Sequence, residues 1–270
     1  FQPDSNLPLI DISARRFYVG TIQGVLSIVV MSGSGMVNAA QTIQLLLNLF
    51  RVRGVVFYGR GAGADPNTLN IGDVSIPNQI AHTAVWFWEK FGGDERGFDR
   101  DIANLTFSEY NVGETKVANE LQRVYLQREE TYSVRRKPEK AKHKLWFNVD
   151  DTLYRIAKTL KPVDLGQCVL VKDASSVCLQ EKPQIKTVEK GSGSNIYVNN
   201  QGYRDFLHSQ LDITSIDIES AAIAMVCETE NKAFIAMTTV TNHAGGSSPG
   251  NDVSVIRNLW PDHARVVIRV

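Results

Sequence analysis

One stretch, SIDIESAAIAMVCETENKAFIAMTTVTNHAGG from Ser215 to Gly246, restricts this chain more than any other. It sets a short strand ending near Glu219 against an Ala-rich helix, and follows that helix with a β-branched strand, Ala233 to Val240. Strand, helix and strand so closely joined belong to an α/β architecture. The polar, glycine-rich loop Asn242 to Gly246 closes the stretch. Ligands of open α/β sheets bind beyond the carboxyl ends of strands. Glu219 and Asn242, each read at such an end, are therefore expected to bound a small-molecule site.

The same pattern recurs upstream. Val25 to Met31 reads as a buried strand, and SGSG and an apolar-spaced helix, MVNAAQTIQLLLNLF, follow it. Gly54 to Tyr58 is the next strand, ending in the glycine-rich loop Gly59 to Pro66. Asp73 to Ile76 is a short strand that Pro77 is expected to stop. Strand, helix and strand with tight glycine turns form the βαβ signal of a parallel sheet. From Gly92 to about Val149 the chain turns polar and lacks apolar periodicity, so it reads as an excursion from the sheet. Its basic run, Arg135 to Lys144, reads as a solvated surface. Helical pattern returns at Asp150 to Leu160, with Asp150 or Asp151 as the cap. Strands are expected near Gln184 to Glu189 and Asn195 to Asn199.

Bulk properties exclude some functions. With 29 acidic and 29 basic side chains the formal charge is zero. Nucleic acid is thereby disfavoured as a partner, because phosphate binding needs a basic surplus. No apolar run reaches the length of a membrane span. The chain opens at Phe1 and not at Met, which suggests a processed or incomplete N-terminus. Asn104-Leu105-Thr106 is an N-glycosylation sequon. Cys168 and Cys178 lie in a loop-like stretch and could close a short disulfide loop, whereas Cys227 reads as a core hydrophobe. These cues favour the secretory pathway, vacuolar or extracellular, over the cytosol.

Three motifs fail on inspection. GSGMVN, Gly33 to Asn38, resembles a dinucleotide fingerprint but puts Asn38 at the third glycine, and no acid ends the following strand. GSSPG has the spacing of a hydrolase elbow around Ser248, yet Pro249 lacks the N–H that the oxyanion hole requires. His82, His143, His208, His243 and His263 show no paired spacing, and no C-x-x-C occurs, so no metal is expected. What remains are the strand-end segments: Gly33 to Gly35, Gly59 to Gly63, the stretch around Tyr197, Glu219 and Asn242. Glycines there let backbone amides approach an anion or a sugar. On the other reading they make tight turns and Glu219 caps its helix.

In order and content, RRFYVG, MSGSGMVNAAQTIQLLLNLF, GVVFYGRGAGADPNTLNIGDVSIPNQIAHTAVWFWEKFG, GSGSNIYVNN, IDIESAAIAMVC and TNHAGG resemble the nucleoside phosphorylase and nucleosidase family. Within it they are similar to the plant branch of bark and vegetative storage proteins. The sequon and the Cys168/Cys178 pair also resemble that branch. The resemblance implies a three-layer α/β/α sandwich with a central mixed, partly closed sheet. It further implies one domain over residues 1–270, with the polar excursion at about 92–149, assembled as a homotrimer or homohexamer. Family chemistry is cleavage of the N-glycosidic bond of a nucleoside by phosphate or water. No cofactor is implied, and inorganic phosphate is the co-substrate of phosphorolysis. By position Glu219 would hold the ribose 2′ and 3′ hydroxyls, Tyr197 would stack on the base, and Asn242 would face the purine N7. Gly33, Gly35, Gly59 and Arg60 would lie on the phosphate or nucleophile side.

Three departures accompany the resemblance. Family hydrolases and hexameric phosphorylases carry an Asp where this chain has Asn242, and an amide cannot deliver a proton. Trimeric 6-oxopurine phosphorylases do use an Asn at the base. The phosphate-binding Arg expected at the end of GVVFY is Tyr58, with Arg60 two residues on. The family also places a strand and a phosphate loop upstream of the position of Phe1. The expectation is a storage-type protein that binds a nucleoside or purine base, with weak or absent cleavage. The alternative is an active purine-nucleoside phosphorylase or nucleosidase, with Asn242 as the residue in the general-acid position.

Overall fold

A computed structural model describes residues 1–88, 97–106, 123–132, 140–160, 164–170 and 176–246. In chain order the first elements are β1 (Gln2–Pro3), β2 (Leu9–Ile12), β3 (Arg15–Ile22), β4 (Val25–Val30), helix α1 (Met36–Leu49), β5 (Gly54–Gly63) and β6 (Val74–His82). The polar middle holds β7 (Trp86–Trp88), β8 (Asn104–Thr106), β9 (Arg123–Leu126), β10 (Glu129–Thr131), β11 (Lys142–Lys144) and β12 (Trp146–Asn148). Then come α2 (Asp151–Lys158), β13 (Cys168–Leu170), β14 (Ser176–Cys178), β15 (Ile185–Gly193), α3 (Gln201–Leu211), β16 (Ser215–Asp217), α4 (Ser220–Thr229) and β17 (Ala233–His243).

The central sheet runs β12-β6-β15-β16-β5-β17, and β17 pairs back onto β6 through Thr238↔Ser75 and Thr239↔Val74. It is mixed: β15 is parallel to β6 and β16, and β17 is parallel to β5, while β16 is antiparallel to β5. The short β17–β6 contact makes it a partly closed ring, as expected. Helices cover both sides. On one, Ala39, Ile43 and Leu46 of α1 pack with Ala221, Ala222 and Ile223 of α4 over β17 residues Ile235 and Met237. The spacing 39, 43, 46 is the buried stripe of an amphipathic helix, and the alanines of α4 let the two helices and the sheet approach closely. On the other side Phe206, Leu207 and Leu211 of α3 pack with Ile213 and Ile216.

Several expectations are corrected. The Val25–Met31 strand exists, but it is not buried and does not enter a βαβ unit with β5. It pairs antiparallel with β3, from Phe17↔Val30 to Ile22↔Val25, leaving Val25 and Leu26 exposed by 66% and 73%. The cause is local: Gln23 and Gly24 take φ of 51° and 78°, the primed turn that closes a two-residue hairpin. That hairpin captures the strand before any crossover can.

Pro77 does not end its strand. It sits at a gap on one side of β6, between Ser75, which faces β17, and Gln79, which faces β12, so its missing N–H breaks no ladder there. Gly59 to Gly63, expected as a loop, continues β5. Asn195 to Asn199, expected as a strand, is irregular, and Asn200 then caps α3 by accepting from the amide of Tyr203. The excursion is not wholly outside the sheet, because β12 joins β6. Asp150 does cap α2, accepting from the amides of Thr152 and Leu153.

Candidate functional site

The site grows from the end of β16. Asp217 is 8% exposed, and its Oδ1 accepts the backbone amides of Glu219 at 2.8 Å and Ser220 at 2.7 Å. These are two of the amides that open α4, so Asp217 caps the helix from two residues upstream. Burial pushes the Asp217 carboxyl up to about 6, against the pull of its bonds to Ser220 and Glu219. Among the described residues the side chain of Glu219 makes no bond to its own helix. The cap reading of Glu219 is thereby corrected.

Glu219 instead reaches across to the start of α1, where its Oε1 accepts the amide of Gly35 at 2.8 Å. The next amide, Met36, donates to Asn195 Oδ1, also at 2.8 Å. The first turn of α1 is therefore satisfied by side chains from two other parts of the chain. Gly35 has φ 89°, and a Cβ there would stand 3.1 Å from Asn195 Oδ1. Burial raises the Glu219 carboxyl above its ordinary value, opposed by the amides of Gly35 and Ile218 and then by the charge of Arg60.

Gly33, with φ 83°, turns the loop ahead of α1. Arg15 braces the same loop, donating to Thr42 Oγ1 at 2.7 Å and Asn38 Oδ1 at 3.0 Å. Tyr197 is 79% exposed, with its hydroxyl 3.4 Å from Ser34 Oγ. Neighbouring Ile196 packs inward against the α3 side.

Register fixes where Asn242 stands relative to β16, because the two do not share a strand end. β16 runs opposite to both β5 and β17, yet Ala62 pairs with Ile216 on one side and Asn242 on the other. Strands two places apart lie about 10 Å from each other, and the chain descends from Ile216 toward the level of Gly59 and Arg60. A bulge at Thr241 precedes Asn242, a device that re-aims side chains beside sites. Asn242 Nδ2 donates to the carbonyl of His243 at 3.0 Å. Thr241 Oγ1 lies 3.0 Å from Asn242 Oδ1 and 3.1 Å from the Gly61 carbonyl.

Gly59 and Gly61 are crowded positions. A Cβ on Gly59 would stand 2.5 Å from the Phe57 ring, and one on Gly61 2.6 Å from the Ile216 carbonyl. Tyr58 shares a 2.9 Å hydroxyl–hydroxyl bond with Thr239 on the neighbouring strand. Away from this region, Cys168 and Cys178 form a disulfide across the β13–β14 hairpin. Asn104 is exposed on β8. Among the described residues no cluster of three His, Cys, Asp or Glu side chains could hold a metal, and no helix could cross a membrane. Ser248 and Pro249 lie outside the described residues.

Sequence reasoning missed Asp217, Asn195 and Thr241. The signal for Asp217 was present, since an Asp just before an apolar helix is a cap candidate. Asn195 and Thr241 carry no local signal, because their roles depend on tertiary partners.

Comparison with known proteins agrees with this fold. The sequence profile of the phosphorylase superfamily matches residues 2–267. Bark storage protein A of Populus deltoides is 34% identical over 257 residues, which cover 95% of this chain and 77% of that protein. A 5'-methylthioadenosine/S-adenosylhomocysteine nucleosidase of a Geobacillus species is 25% identical over 238 residues, 86% of this chain and 75% of that one. Among solved structures, the corresponding nucleosidase of Colwellia psychrerythraea, in complex with adenine, superposes with a TM-score of 0.63. It is 17% identical, and the match covers 98% of this chain and 85% of that one. With a profile match over nearly its whole length, the chain belongs to the phosphorylase superfamily.

Proposed function

We propose that this chain is a storage-type protein on a nucleoside phosphorylase fold. It keeps a pocket for a nucleoside or purine base and has weak or absent cleavage of the N-glycosidic bond. The carrying observation is Asn242. It is an amide where the family's hydrolases have a proton donor, and it donates to the carbonyl of His243. Loss of a positioned general acid costs about 10²–10⁴-fold in rate. Tyr58, occupying the place of the phosphate-binding Arg, bonds to Thr239 and carries no positive charge for an anion. Similarity to the bark storage proteins supports the same role, with vacuolar or extracellular residence, glycosylation at Asn104 and assembly into a homotrimer or homohexamer.

The binding half of the proposal rests on Glu219, half-buried beside Gly35 with one carboxylate oxygen accepting that amide, and on fold neighbours described with adenine and nucleoside analogues. The second reading, an active phosphorylase or nucleosidase, is favoured by the same carboxylate. Incubation with adenosine or inosine, with and without phosphate, separates the two by chromatography of free base. Turnover of about 1 s⁻¹ or faster, ordinary for an enzyme, overturns the storage reading. Absence of adenine binding overturns the pocket in both.

A further inference from the structure

We infer that Asp217 is a positioning residue for Glu219: by holding the backbone amides of Glu219 and Ser220, it fixes the piece of chain from which the Glu219 carboxylate reaches the Gly35 side of the site. This deepens the nucleoside-pocket reading of that carboxylate and rests on it for its functional meaning.

A helix start presents several amides without partners, and the nearest carboxylate takes them. At the start of α4 the nearest is Glu219 itself, which occupies the cap position. A cap side chain ordinarily turns back to the amides two and three residues on, here Ala221 and Ala222, and the Glu219 side chain does not. Asp217 Oδ1 holds the backbone at this point, accepting the amides of Glu219 and Ser220 at 2.8 and 2.7 Å. The Glu219 carbonyl accepts from Ala222 at 3.1 Å and Ile223 at 3.3 Å. Glu219 is then held at φ −132° and ψ −41°, outside the helical conformation, with its Oε1 on the Gly35 amide.

The surroundings fix Asp217 in turn. Its carbonyl accepts the amide of Ser194 at 3.1 Å, and it pairs with Gly193 at the end of β15. A Cβ on Gly193 would stand 2.6 Å from the Ala221 amide, so β15 lies directly against the first turn of α4 and excludes water. Burial at a cost in ionisation is the mark of a group held in place for its bonds.

The test reads the Gly35 amide by hydrogen exchange in ¹⁵N-labelled protein, with Met36 as internal control because Asn195 holds it. In Asp217→Ala the Gly35 amide should exchange at least about tenfold faster, one lost charge-assisted bond, while Met36 stays within about twofold. Asp217→Asn keeps an Oδ1 acceptor of the same shape and should restore Gly35. Unchanged Gly35 protection in folded Asp217→Ala overturns the inference. So does equal loss at Gly35 and Met36, which would indicate general loosening. Should the alanine variant not fold, Asp217→Val, which also lacks an acceptor, carries the same comparison. A parallel arm measures binding of adenosine, 2′,3′-dideoxyadenosine and adenine. Asp217→Ala should lose the preference for adenosine over the dideoxy analogue and keep adenine affinity. Wild type binding both nucleosides alike, with Gly35 still responding, sinks the pocket reading and leaves the positioning of Glu219 standing.

Discussion

Asn242→Asp changes one atom at the residue on which the proposed weak or absent cleavage rests. In the wild type Asn242 Nδ2 donates to the His243 carbonyl at 3.0 Å. An aspartate would place a carboxylate oxygen against that carbonyl oxygen, where only a protonated carboxyl can make a bond. The same contact therefore favours the acid form and raises the carboxyl above its ordinary value. Each unit of such a rise is worth about 1.4 kcal/mol. Thr241 can still donate to the other oxygen. A raised, half-buried acid is what protonation of a leaving base requires, and a positioned one is worth about 10²–10⁴ in rate. Base release from adenosine or inosine by Asn242→Asp should therefore exceed wild type by about that factor. The rate should be highest at acidic pH and fall as pH rises through the new group's pKa. Adding Glu219→Gln should lower the gain if it runs through this site. The assay is chromatographic detection of free base across pH 5–8, with adenine binding and the melting transition as controls. A folded Asn242→Asp protein that binds adenine like wild type but releases base no faster would refute the reasoning.

Stability measurements check the remaining features. Glu219→Ala strands the Gly35 amide and should lower unfolding free energy by about 1.5–3 kcal/mol, whereas Glu219→Gln, which keeps the acceptor, should lose less; urea denaturation compares them. Asp217 has a folded pKa of about 6 against an ordinary 3.8, so the folded state binds its proton more tightly. Its contribution is present below the ordinary value and lost as pH rises through about 6, so stability of Asp217→Asn relative to wild type should climb between pH 4 and 7, by at most about 3 kcal/mol. His243 acts in the opposite sense: burial lowers its pKa, so its contribution is present above 6.5 and lost as pH falls. Ser13 and Ala14, at φ 49° and 59°, form a left-handed two-residue turn between Ile12 and Arg15. Ser13→Asn with Ala14→Gly should raise the thermal midpoint, by about 1–2 kcal/mol of stability.

What was legible in the sequence was whatever depends on local periodicity. The apolar stripe of α1, the Asp cap of α2 and the β-branched run of β17 were all readable, because each signal sits inside its own element. The resemblance supplied the mixed, partly closed sheet. The misreadings have tertiary causes. Gly59 to Gly63 looked like a loop because glycine is poor in strands. Here, though, β5 lies between β16 and β17, and Gly61 is needed where the Ile216 carbonyl comes close. Pro77 looked like a stop, but the gap in pairing that tolerates it belongs to β17 and β12. Glu219 looked like a cap because it stands at the cap position, and only the side-chain bond of Asp217 shows that the position and the task are held by different residues.

The bond from Glu219 to Gly35 spans 184 positions of sequence, whereas the bonds of Asn242 run to its immediate neighbours. The two side chains therefore differ in how freely they can drift. Exchanging the side chain at 242 disturbs only a local turn of backbone, so chemistry can be gained or lost there with the fold intact. Exchanging the one at 219 unfastens the start of α1 from the start of α4, its neighbour on the same side of the sheet. Glu219 therefore serves the fold as a fastening between two helix starts, independently of anything it binds, and Asn242 has no such duty.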